Sequence, residues 1–223
     1  MKVRMSVQQK NPDKFIARII EKYHFESSHM DMLTQIYYSI LECATPHAIY
    51  RINQWVTGDM LIDSNQAAVA AITLGEEVDE LQEAYTASGK LLEAYMVDCI
   101  ADEMLLYLYG EFNKIYERFH RRYVYRYVFV GDSIPLSDMR DILIKIGGKD
   151  LDTMDISANE FGVLTPSKSV VFYALISDNP SNRCGGICES CNNPECDYKA
   201  GSEKVKNKIT LNYGYQRILG GSH

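Results

Sequence analysis

RRYVYRYVFV, residues 121–130, decides the fold class. Its side chains alternate with period two, and Val, Tyr and Phe favour strands. An unbroken strand puts Tyr123, Tyr125, Tyr127 and Phe129 on one face and Val124, Arg126, Val128 and Val130 on the other. Arg126 is therefore expected among valines. Gly131-Asp132-Ser133 then turns the chain, and Pro135 fits a loop. SKSVVFYALIS at 167–177 is the second strong strand, and AAVAAITL at 67–74 is a third candidate. AIYRINQWVTGDMLID at 48–63 alternates about Thr57-Gly58 and reads as a hairpin. NKITLNYGYQ at 207–216 is a further strand candidate.

Helical periods separate these strands. DKFIARIIEKY at 13–23 repeats apolar residues at Phe15, Ile16, Ile19, Ile20 and Tyr23, with Pro12 and Asp13 as start signals. Residues 29–43 repeat the pattern through Leu33, Ile36, Tyr37, Ile40 and Leu41. EEVDELQEAY after Gly75 reads as a helix whose Glu76, Glu77, Asp79 and Glu80 form a solvated face. Over 90–119, Leu92, Tyr95, Met96, Cys99, Leu106 and Tyr109 form one stripe, which includes Glu103. A carboxylate on such a stripe must be paired or reach water through a cleft. LSDMRDILIKI at 136–146 is a last helix, stopping at Gly147-Gly148. Helices and strands are interspersed without a regular βαβ repeat. The expectation is an α+β fold with a mostly antiparallel sheet packed with helices.

The 223 residues are 46% hydrophobic and 24% charged, the balance of a chain that buries a core. The formal net charge of −7 argues against a nucleic-acid binder. No apolar run approaches the roughly 18 residues of a membrane span. MKVRMSVQQKNPDK has no apolar stretch after its positive charges and is not a secretory signal. A soluble, cytoplasmic protein is expected, without a membrane partner.

Four of the six cysteines, Cys184, Cys188, Cys191 and Cys196, follow C-x3-C-x2-C-x4-C. Thiols in a reducing compartment cluster for metals more often than for disulfides. Cys188 and Cys191 form the central pair, and Cys184 and Cys196 can close a four-ligand shell around zinc or an iron–sulfur cluster. Gly185 and Gly186 permit tight wrapping. Such a knuckle supplies folding energy to a tail with few apolar residues. The chain divides into an N-terminal helical segment (1–45), a central domain (46–180) and a Cys-rich tail (181–223). It carries no P-loop, no G-x-G-x-x-G and no G-x-S-x-G, and its five histidines show no catalytic spacing. No catalytic residue is assigned.

The landmarks AITLGEEVDE (71–80), MVDCIADE (96–103), RYVFVGDSIPL (126–136), NEFGVLTPSKSV (159–170) and CESCNNPECDYK (188–199) together carry a resemblance. Over roughly 45–200 the chain resembles the reactivation domain of cobalamin-dependent methionine synthase. It more closely resembles the short stand-alone relatives found in anaerobic bacteria, which end in C-x2-C-x4-C-x2-[RK]; Cys188, Cys191, Cys196 and Lys199 match that ending. The resemblance implies a curved antiparallel sheet and a groove for S-adenosylmethionine. It further implies a methyltransferase component rather than a complete enzyme. That component docks on a corrinoid-binding protein, meets cobalamin only through this partner, and supports its reductive remethylation in methionine biosynthesis. Arg126 matches the family's loop arginine, Asp98 its helix aspartate and Glu160 the glutamate before its L-x-P strand. Glu103 closes the MVDCIADE landmark. Gly131 takes the place of the family's glycine if the loop slips by one residue, since Phe129, Val130 and Gly131 stand where the family has Pro-Gly-Tyr. Pro135 and Leu136 match, and Gly162 replaces an expected tyrosine. The implied ligand set is Arg126, Gly131, Asp98, Glu103 and Glu160. The altered loop also supports a second reading: an iron–sulfur or zinc protein on the same scaffold that has lost adenosylmethionine binding and acts in electron transfer or docking.

Overall fold

A computed structural model describes residues 1–53, 67–132, 134–147 and 155–187. Its elements run β1 (Lys2–Arg4), α1 (Pro12–Tyr23), α2 (Met30–Cys43), β2 (His47–Asn53), β3 (Ala67–Thr73), α3 (Glu77–Ala87), α4 (Leu91–His120), β4 (Tyr123–Phe129), α5 (Met139–Gly147), β5 (Ser157–Ala158), β6 (Leu164–Thr165) and β7 (Ser169–Ser177). Five strands form one sheet in the order β1-β2-β3-β7-β4, with every neighbouring pair antiparallel. β5 and β6 form a separate hairpin. The fold is α+β, as the interspersed elements predict.

β3 is buried at all positions. Ala67, Ala68, Ala70 and Ala71 keep it thin enough for layers to close on both faces. Ala68, Ala70 and Ile72, with Phe172, Ala174 and Ile176 of β7, face the layer of α1 to α4. Ala67, Val69 and Ala71, with Val171, Tyr173 and Leu175, face α5 through Ile142, Leu143 and Ile146. The helix-side core runs from Met5 to Cys184. In α1, Asn11 Oδ1 accepts from Lys14 N at 3.0 Å and Pro12 stands in the first turn, as the sequence signals predict.

Two sequence expectations change here. On α4, Leu92, Tyr95 and Leu106 are exposed, whereas Val97, Ile100, Ala101, Met104, Leu108 and Phe112 are buried with the predicted Met96, Cys99 and Tyr109. A single stripe describes a surface helix; α4 contacts α1, α2, α3, β3 and β4, so more of its circumference is covered. The acidic run of α3 is not wholly solvated either, because Asp79 accepts from Ser167 and Glu77 from Thr45. Of the hairpin read at 48–63, the first strand is seen as β2, which pairs with the separately expected strand β3, while Thr57-Gly58 and the expected second strand lie outside the described residues. So do Cys188, Cys191, Cys196 and the strand candidate at 207–216.

Candidate ligand-binding site

β4 is the edge strand that leads into the landmark loop. Its register against β7 shifts between Val124, opposite Ile176, and Arg126, opposite Leu175. Tyr125 is the extra residue of a β-bulge, which reverses the alternation. Val124, Tyr127 and Phe129 consequently belong to the helix-side core, and Tyr125, Val128 and Val130 to the α5 side. Arg126 shares the α5 face with Val128 and Val130, as alternation predicts, but Val124 does not. Arg126 is exposed, and no described carboxylate pairs with it.

After β4 the chain turns sharply. Val130 bridges Ile134, and Gly131 N donates to Ile134 O at 2.7 Å. Gly131 has φ +98°, and a Cβ there would lie 3.1 Å from Leu136 Cδ1. The tip of the β5–β6 hairpin meets the same leucine. Asn159 Oδ1 accepts from Phe161 N at 2.9 Å and Val163 N at 3.0 Å, shaping a tight tip that carries exposed Glu160. Gly162, at φ +79°, has no room for a side chain: a Cβ would sit 2.7 Å from Leu136 Cγ and 2.8 Å from Leu136 O. The two landmarks RYVFVGDSIPL and NEFGVLTPSKSV therefore converge on Leu136. The tyrosine expected at 162 is excluded by that contact, and Gly131 is the glycine of the turn. Phe161, Val163 and Leu136 stay 71%, 57% and 43% exposed around the junction.

Asp98 and Glu103 occupy different faces of α4. Asp98 Oδ1 accepts from Lys168 Nζ at 2.7 Å, and Asp102 Oδ1 from the same ammonium at 2.7 Å. Burial alone would push Lys168 down; its hydrogen bonds to Asp102 and Asp98 outweigh this and hold the ammonium above the ordinary lysine range. Glu103 is buried, with Lys22 Nζ at 2.5 Å, Arg18 Nη2 at 3.0 Å and Tyr23 Oη at 3.4 Å. Its stripe position is thus explained by pairing. The buried Cys99 thiol beside Asp98 is pushed up to about 11, chiefly by burial, and stays protonated.

Cys184, the described member of the cysteine cluster, is buried against the core. Its N donates to Val124 O at 2.9 Å across the edge of β4, and its carbonyl accepts from Asn113 Nδ2 at 2.8 Å. Tyr127 Oη donates to Asn113 Oδ1 at 2.5 Å. Cys184 Sγ donates to Gly186 O at 2.8 Å. Cys184 is thus held at the edge of β4 by core groups. Among the described residues no three His, Cys, Asp or Glu side chains converge as a metal site. Nor is any described helix long and apolar enough to cross a membrane. Two hollows, one at Asp79, Gln82, Glu83 and Ser167, the other at Met1, Tyr50, Arg51 and His120, hold none of the predicted ligand residues.

The chain matches no protein-family model and no curated protein. Its fold is similar to that of the MetH reactivation domain, known from a crystal structure with AdoHcy bound. The TM-score is 0.52 and the identity 14%, over 96% of this chain and 85% of that one. The α+β architecture with helices on an antiparallel sheet is the shared feature.

Sequence reasoning missed Lys168, Asp102, Arg18, Lys22 and the pair His47–Asp155. Asp98 and Asp102 were findable together: four residues apart, they share one helix face. Lys168 gives no local signal beyond standing before a strand. His47 places both ring nitrogens against oxygens, Thr45 O at 2.9 Å and Asp155 Oδ1 at 2.9 Å.

Proposed function

We propose that this chain binds S-adenosylmethionine where the 129–136 turn meets the 159–163 tip. In this reading it is a component of a cobalamin-dependent methionine synthase system, supporting reductive remethylation of a corrinoid on a partner protein. One observation carries the reading. Two landmarks far apart in sequence meet at Leu136, in a fold similar to a domain solved with AdoHcy. Arg126, exposed on the α5 face, suits the ligand's carboxylate, which a guanidinium holds in a two-pronged grip. Glu160 offers acceptors to an ammonium or a ribose hydroxyl. The turn at Gly131 lets backbone come close to a ligand. When bound, adenosylmethionine supplies the methyl group, while the corrinoid and an electron donor come with partners. Asp98 and Glu103 support the scaffold through their ion pairs rather than touch the ligand.

The cysteine segment adds a second element to the proposal. Cys184, Cys188, Cys191 and Cys196 hold zinc or an iron–sulfur cluster at the periphery. The spacing and the fixed position of Cys184 support this. Brown protein from anaerobic purification, with iron by metal analysis, would select the cluster; colourless protein with zinc would select the structural knuckle.

The test is calorimetric titration of S-adenosylmethionine into wild type and Arg126→Ala. Saturable binding is expected, weakened about tenfold or more by loss of a charge-assisted contact. No binding by a folded, metal-loaded protein would overturn the reading. It would leave the alternative of a metal protein that has lost the ligand, which the altered loop at Phe129, Val130 and Gly131 favours.

A further inference from the structure

Residues 155–168 cross the α5 side of the molecule as a strap with both feet held by charge. At the first foot Asp155 accepts from Lys2 Nζ at 3.1 Å and contacts His47 Nε2 at 2.9 Å. Ile156 then enters the α5-side core. At the second foot, three carboxylates from two helices take hold of two consecutive residues. Asp79 of α3 accepts from Ser167 N at 2.7 Å and Ser167 Oγ at 2.6 Å. Asp98 and Asp102 of α4 accept from Lys168. Lys168 O also accepts from Leu74 N at 3.0 Å. Between the feet, the tip sets Gly162 on Leu136 and so touches the turn that begins at Gly131.

Lys168 is 8% exposed and is the buried cation of the described residues. A buried ammonium is stable only where carboxylates meet it, so its position along the chain is fixed by Asp98 and Asp102. Lys168 stands three positions after Thr165, which pairs with Ser157 across the hairpin. A displaced Lys168 therefore shifts the rung below the tip, and with it the contact of Gly162 on Leu136.

We infer that Lys168 is a positioning residue. By locking the C-terminal foot of the strap to α4, it sets the tip against Leu136 and thereby the geometry of the 131–136 turn. The part of this inference that concerns a ligand rests on the adenosylmethionine reading above.

The experiment combines backbone amide exchange with S-adenosylhomocysteine titration in wild type, Lys168→Met and Lys168→Arg. Lys168→Met should speed exchange at 157–165 and 131–136 while the interior of β3 and β7 keeps its protection. It should weaken S-adenosylhomocysteine binding by about threefold to thirtyfold. Lys168→Arg should recover most of both effects, because the charge is kept. Uniform loss of protection through the sheet would mean that Lys168 is merely a stability residue and would overturn the inference. So would local exchange that does not change. If wild type binds no S-adenosylhomocysteine, the ligand reading fails, and the exchange data alone decide the strap. Should Lys168→Met not fold, Asp98→Asn with Asp102→Asn removes the counter-charges at constant volume and carries the same expectations.

Discussion

Glu103 shows how one residue's worth depends on which partner is removed. Its carboxylate is 5% exposed, whereas the Arg18 and Lys22 side chains that hold it are 57% and 26% exposed. Removing the carboxylate leaves two cations that can turn into water, so Glu103→Gln should destabilise the protein by only about 1–2 kcal/mol. Removing both cations strands a buried charge, so Arg18→Met with Lys22→Met should cost about 3–5 kcal/mol. Urea unfolding of the two variants checks the order. Equal losses, or a larger loss for Glu103→Gln, would mean that the cluster is more hydrated than its burial indicates.

The β5–β6 hairpin, like the three-residue β1, was hidden in the sequence. Its strands have two residues each, too short for a period, and the feet that hold it pair residues distant along the chain. α1, α2 and α4 were legible because their apolar residues repeat with the helical period over three turns or more. The bulge in β4 was not, since alternation in RRYVYRYVFV continues through Tyr125 while the pairing skips it. Gly131 in the turn after β4 and Glu160 at the hairpin tip lie in loops, as their landmarks imply, and their role as ligand residues is part of the proposal. The ion pairs of Asp98 and Glu103 were not legible, because nothing near either residue names a partner in another helix or loop. The hairpin's first foot makes a pH prediction. Burial alone would raise the Asp155 carboxyl, but hydrogen bonds from Lys2 and His47 outweigh it and hold the group below the ordinary 3.8. A lowered folded value contributes stability above the ordinary value, and this stability is lost as pH falls through the folded one. Wild type should therefore lose stability relative to Asp155→Asn between about pH 5 and about pH 3. Thermal unfolding across that range checks it, and a gap that does not change with pH would show that the contacts of Asp155 are not stabilising.

At the scale of the whole molecule, the question is where cooperative folding ends. The helix-side core joins Met5 and Val7, the faces of all four helices, and β2, β3, β4 and β7; its last buried member is Cys184, with Ile187 packed against it. Asn113, Tyr127 and Val124 hold Cys184 through backbone and side-chain groups of the core itself. A metal bound at the cysteines would therefore stabilise the residues around it without being required by the sheet. Cys188→Ser with Cys191→Ser should lose the metal. It should leave far-ultraviolet dichroism and a single cooperative unfolding transition in place, with the midpoint shifted by no more than about 2–4 °C, the equivalent of about 1 kcal/mol. Metal analysis and thermal unfolding on the same sample check both halves. Global unfolding of the double variant would place the metal inside the folding unit, and the cysteine segment would then be part of the core that α4 and β4 build.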